Sequence, residues 1–198
     1  MKEKIKKVKL KKVPLVILII TIISLILGIL FLAVISKSNK ELVTQTLNNF
    51  FKNISQKKFN TNIALFNSLS NNIIIDLTIW LLGISIIGIP IIILILSTKS
   101  FVLGFSISSI IYNYGLKGII LTLIYIIPHT INLLVTILLS YYSINFSIML
   151  FNLLFRKKEY SKKSMVNRYI RILVFATIAY LTSSVIEAYV VPKILSFF

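Results

Sequence analysis

Cysteine is absent from this 198-residue chain, histidine occurs once, and only five residues are acidic. The first absence removes disulfides, thiolate chemistry, cysteine metal sites and palmitoylation together. The shortage of acids and imidazole leaves few groups for proton transfer or metal ligation. There is no His-Glu-x-x-His run, no pair of intramembrane aspartates, no glycine-rich loop ending in Lys-Ser or Lys-Thr, and no Gly-x-Ser-x-Gly elbow. Serine, threonine and asparagine are scattered singly, with His129 the lone candidate base among them. We therefore expect no enzyme, no metal and no cofactor.

What is present is apolar. Hydrophobic residues make up 57% of the chain and charged residues 14%, with a mean hydropathy of +0.94. A soluble fold of this length needs far more polar surface, so an all-α polytopic membrane protein is expected. Lysine and arginine number 22, for a net charge of +17. These cations sit between long apolar runs, the pattern of membrane flanks, and no basic soluble domain is present to bind nucleic acid.

The chain divides into about five crossings. Residues 1–12 carry seven lysines and lead into a first span at 13–35, too long for a signal peptide and read as retained. Residues 36–72 form a polar interval, expected as an extracytoplasmic amphipathic helical loop because Val43, Leu47, Phe50, Phe51 and Ile54 recur at three- and four-residue steps. Two readings are open for it: a helix lying on the headgroups or capping the bundle, or a docking surface for a partner. A second span at 73–96 carries Asp76 near its start and a Gly88 to Pro90 kink in its middle. The stretch 97–113 is a short or re-entrant third span, with Lys99 counted in a cytoplasmic turn. A turn-like segment at 113–118 precedes a fourth span at 119–155, about 37 residues long and read as broken at Pro128-His129. A basic loop at 156–169 leads to a fifth span at 170–191. With the N-terminus inside, fifteen cations fall on the cytoplasmic side and seven outside. Lys162 is then cytoplasmic and Lys57 external.

Polar groups within the spans need an account, because an ionised side chain at the bilayer centre is expensive. Asp76 and Glu187 either snorkel to the outer interface near Lys117 and Lys193 or form a paired outer-leaflet site for a ligand or partner. His129 either bonds carbonyls freed by Pro128, one turn before Asn132, or acts in substrate passage or a proton-linked switch. Ser24 with Gly28 and Gly104 with Ser108 form small-xxx-small pairs that permit close helix approach.

Several of these motifs occur together in a known order. The run from Ile79 to Pro90 with Gly83 and Gly88, the Lys99-Ser-Phe-Val-Leu-Gly104-Phe stretch, Tyr114-Gly-Leu-Lys-Gly118 and Ile127-Pro128-His129 follow paired asparagines at 71 and 72. In that order and spacing, over 71–130, the chain resembles the stage II sporulation protein M family. It departs from the family pattern in carrying Thr130 after Pro-His and in lacking a glutamate shortly beyond, where Asn132 is the nearest polar residue. The resemblance implies a non-enzymatic scaffold in the septal membrane that recruits two peptidoglycan-degrading partners, sporulation proteins D and P, for engulfment. Membrane lipids surround it, and a homo-oligomer is left open. The reading from another class is a small transporter or permease subunit with a site near the Gly88 to Pro90 and Pro128-His129 elements. An intramembrane hydrolase would need serine or aspartate chemistry that no motif displays.

Overall fold

The computed structural model describes residues 13–56, 59–155 and 162–196. The lysines of 1–12, together with Lys57, Lys58, Arg156, Lys157 and Lys158, lie outside the described residues. Of Lys162 only the backbone is described.

The described chain is helical throughout its ordered elements: α1 (Val13–Val34), α2 (Lys37–Ser55), α3 (Thr61–Leu82), α4 (Gly88–Phe155), α5 (Lys162–Val185), a π-helical turn (Ile186–Val190) and α6 (Val191–Leu195). Four helices are long and apolar enough to cross a bilayer, Val13–Val34, Thr61–Leu82, Gly88–Phe155 and Lys163–Leu195. The third of these is 68 residues long and folds back on itself. The reversal occurs at Gly115, whose φ of 55° and ψ of −131° only glycine adopts readily. Beyond it Gly118 packs against the backbone of Ile110 and Ile111, and Lys99 on the first arm reaches Thr136 on the second. α4 is thus a hairpin of arms 88–114 and 116–155, and five apolar arms build the bundle, a multi-pass membrane protein.

Several expected boundaries shift. The helix expected to begin at 73 begins at Thr61, because the Asn60 side chain accepts hydrogen bonds from the backbone N–H groups of Asn62 and Ile63, both at 3.1 Å. Asn67, Ser68, Asn71 and Asn72 lower the hydropathy of its first half; Asn72 is buried and Ser68 half-buried against the bundle, while Asn67 and Asn71 are exposed on the cavity wall. Gly88 and Pro90 do not kink a helix: α3 ends at Leu82, Gly83 caps it, and residues 83–87 form a tight turn before α4. Pro90 therefore sits in the first turn of α4, where a missing N–H costs nothing. Pro128 does not break the fourth span, since α4 continues through it. Lys99 is not in a turn but midway along the first arm of α4.

The two small-xxx-small pairs meet each other. A Cβ built on Gly28 would overlap the Phe101 carbonyl, and one built on Gly104 would overlap the Leu25 carbonyl. Only hydrogen at both positions lets the backbones approach so closely. Phe31 closes the contact, edge-on to Phe101 at 5.3 Å and Phe105 at 6.0 Å. The other face of α1, from Leu15 to Leu30, is exposed and apolar, as a lipid-facing surface must be.

The bundle has two distinct ends. At one, α2 lies across the hairpin tip: Ile54, Ile110, Leu121, Val191 and Leu195 form a cluster with Phe50, Phe51 and Tyr114 packed against it. At the other, Tyr169 is sandwiched between Trp80 at 5.3 Å and Phe146 at 4.0 Å. Its hydroxyl donates to the Trp80 carbonyl at 2.5 Å, tying α5 to the end of α3. Between these ends, Ile79, Ile92, Leu96, Leu139 and Tyr180 are almost fully buried.

Candidate functional site

Ser68, Asn72 and Asp76 occupy successive turns of one α3 face, at four-residue spacing. Asn132, Thr136 and Ser140 do the same on the second arm of α4, and Thr177, Tyr180 and Ser184 line the facing side of α5. These three polar rows converge on Lys99 from the first arm of α4. All nine neighbours except Ser68 and Thr177 are buried.

Lys99 Nζ donates to Asn72 Oδ1 at 3.4 Å and to Thr136 Oγ1 at 3.2 Å, and lies 5.1 Å from the centre of the Tyr180 ring. Thr136 Oγ1 is in turn 2.7 Å from the Tyr180 hydroxyl. Asn72 Nδ2 faces Ser68 Oγ at 3.5 Å, and Ser68 donates to Glu187 Oε2 at 2.7 Å while also contacting Ser184 at 3.0 Å. Every donor in the series Lys99, Asn72, Ser68 points toward Glu187. An ammonium at one end and a carboxylate at the other orient the amide and hydroxyl between them, and each bond polarises the next.

Asp76 lies one turn beyond Asn72 and is 1% exposed. Thr177 donates to its Oδ2 at 3.3 Å, and Lys99 is close enough to interact with it electrostatically. Asp76 Oδ1, Asn132 Oδ1 and Ser140 Oγ have no hydrogen-bond partner. The expectation that Asp76 snorkels to an interface is therefore overturned: α3 starts twelve residues earlier than expected, which carries Asp76 past the helix midpoint into the bundle. Glu187 does not reach toward Lys117 or Lys193 either. It turns inward to Ser68, with Oε1 4.0 Å from His129 Nε2.

His129 does not bond carbonyls freed by Pro128. Its ring lies 4.0 Å from Glu187 and packs on Tyr125 with centroids 4.1 Å apart. Ser183 donates to the carbonyl of Pro128 itself, at 2.8 Å, whereas the carbonyl that the proline deprives of its helical donor is that of Ile124. The π-helical turn at Ile186–Val190 places Glu187 here, since its wider winding changes the facing of residues in the helix that contains it.

A cavity of about 650 Å³ opens above this pair at the α2 end. His129 and Glu187 line its depth, Ser68 and Asn71 one side, and Phe50 and Phe51 of α2 its roof. The polar series thus runs from the cavity to Lys99 at mid-bundle. Of the residues singled out from the sequence, Asp76, Lys99, Asn132, His129 and Glu187 are brought into this region. Gly83, Gly88 and Pro90 shape the far turn, Gly104 the α1 contact, Gly118 the hairpin, and Pro128 the seat of Ser183. Ser68, Thr136, Thr177, Tyr180 and Ser184 were not singled out, although the four-residue spacing of Ser68, Asn72 and Asp76 was a readable signal. Among the described residues no group of three or more His, Asp or Glu side chains could hold a metal ion.

A family model described as Stage II sporulation protein M matches residues 17–192, well beyond the 71–130 stretch that carries the motifs. Neither a curated protein nor a solved structure matches the chain.

Proposed function

The chain belongs to the stage II sporulation protein M family, and from that premise we propose that this sporulation-related membrane protein is a non-enzymatic scaffold. It recruits peptidoglycan hydrolases of the sporulation D and P type to the septal membrane during engulfment. Its orientation follows from charge. With Lys99 withdrawn into the bundle, fourteen of the 22 cations belong to the N-terminal segment and the 156–171 region, and seven to the α2 end. The positive-inside rule then puts the N-terminus in the cytoplasm and α2 outside.

The observation that carries this reading is α2. Its apolar face is fixed to the hairpin tip by Phe51 against Tyr114 at 5.1 Å, Thr44 donating to Asn113 at 2.6 Å, and Tyr114 donating to Asn48 at 2.7 Å. Its other face displays Glu41, Gln45, Asn49 and Asn53, one per turn and all exposed. A rigidly held polar stripe on the wall-facing side is a surface on which a partner can dock. The test is co-purification of the two hydrolases with tagged protein from sporulating cells, for the wild type and for a variant with all four stripe residues changed to alanine. The scaffold reading expects loss of the hydrolases at unchanged membrane insertion. Normal hydrolase localisation in a deletion strain would sink it.

One observation favours the permease reading: the polar series that links the cavity to Lys99. Transport by proteoliposomes that is lost on His129→Ala is the result that would establish it in place of the scaffold.

A further inference from the structure

The cavity beneath α2 holds a charge of the wrong sign for this protein. The chain has 22 basic residues and five acids, yet among the described residues the cavity is lined by no lysine or arginine and by one acid, Glu187. Its walls are otherwise mostly apolar, built from α2, α3, α4 and α6, with Phe50 edge-on to Phe51 at 5.4 Å and to Phe59 at 6.1 Å. One carboxylate oxygen, Oε2, is engaged by Ser68. The other, Oε1, is 4.0 Å from His129, beyond hydrogen-bond length. Glu187 therefore offers a free acceptor at the end of an apolar chamber.

We propose that this cavity binds an amphiphile from the leaflet at the α2 end, one that carries a protonated amine on an apolar chain. The amine meets Glu187 Oε1 and the chain lies against Phe50, Phe51 and Phe59. A single-chain amphiphile fits the space, which measures about 650 Å³. It falls in the range of small-ligand pockets, and its plan of apolar walls with a few convergent polar groups is theirs. Charge selects the head group. An acid or phosphate would face Glu187 across walls that carry no lysine or arginine among the described residues, and a neutral alcohol would leave Oε1 with only His129, at 4.0 Å, facing it.

This proposal goes beyond the scaffold reading and does not rest on it, since no hydrolase enters its test. The native chain has no cysteine, so Ala64→Cys, on the cavity wall, reports occupancy without background. The full-length protein in phosphatidylcholine nanodiscs is reacted with N-ethylmaleimide while decylamine, decanol or decanoate is titrated in. Lys52→Cys, on the exposed face of α2, is the control. Decylamine should half-protect position 64 at a concentration at least about tenfold below that of decanol or decanoate, equivalent to about 1.4 kcal/mol. Glu187→Gln should abolish that preference, and Glu187→Asp should retain it in weakened form, which separates loss of charge from loss of fold. Equal protection by amine and alcohol, equal protection at position 52, a preference that survives Glu187→Gln, or protection only by an added lysine-bearing apolar peptide would each overturn the proposal.

Discussion

Replacing Lys99 with methionine keeps most of the side-chain volume and removes the charge from the middle of the bundle. Two hydrogen bonds are lost, to Asn72 and Thr136, together with the contact over the Tyr180 ring. More serious is what stays behind: Asp76, 1% exposed with one oxygen already unpartnered, loses the attraction of a cation within electrostatic reach. Breaking a contacting buried ion pair from one side costs about 3–5 kcal/mol; Lys99 and Asp76 stand beyond ion-pair distance, so that range is the ceiling here, still a large share of a typical 5–15 kcal/mol total. Lys99→Met should therefore shift the unfolding midpoint strongly in mixed detergent and sodium dodecyl sulfate micelles, followed by circular dichroism. Asp76→Asn alone also unbalances the site, but Lys99 keeps Glu187 through the Asn72 and Ser68 series, so its cost should be nearer about 1–2 kcal/mol. The double variant should then be more stable than the sum of the two losses predicts, by about 2 kcal/mol, because the second change removes the charge the first left stranded. Additivity within about 0.5 kcal/mol would refute the reasoning and make Lys99 and Asp76 independent residues that merely share a neighbourhood.

Gly104→Leu forces a side chain into the Leu25 carbonyl and should release α1, with loss of disulfide cross-linking between cysteines placed at 31 and 101. Gly115→Ala meets no neighbouring atom but imposes a rare backbone conformation on a residue with a Cβ, so the loss should be about 1–3 kcal/mol in the same micellar unfolding assay. Pro90→Ala, in the first turn of α4, should change stability by no more than about 0.5 kcal/mol, whereas Gly88→Leu, aimed at the Leu82 carbonyl, should lower the yield of inserted protein. An impermeant maleimide applied to intact cells should label Lys52→Cys and spare Lys163→Cys, and the reverse pattern would invert the orientation.

The spans themselves were legible because an apolar run of about 20 residues has few other uses. What hydropathy misread were residues whose meaning depends on a neighbouring helix. Lys99 was taken for a turn because a lysine inside a bundle looks unaffordable until Asn72, Thr136 and Tyr180 arrive from three other segments. Asp76 looked terminal because the polar residues before it, from Asn67 to Asn72, resemble a loop when their partners on α5 and around the cavity are unseen. Pro90 was read as part of a kink and Pro128 as a break. One lies where a helix begins, and the other lies in a helix held on both sides by packing and by Ser183. Glycine signalled more reliably, because at Gly115 the need is in the local backbone and at Gly28 and Gly104 in the absence of a side chain.

The hairpin at Gly115 also bears on how the chain enters the bilayer. No soluble loop separates the arms of α4, so only a short tip bearing Lys117 crosses between them and the two arms can partition from the insertion machinery as one unit. That coupling matters for the first arm, whose central lysine would oppose its insertion alone by about 2.5–3.5 kcal/mol. Thr136, which receives the ammonium, is supplied by the second arm. The single glycine that reverses the helix thus delivers Lys99 to the membrane with one of its partners already tethered beside it.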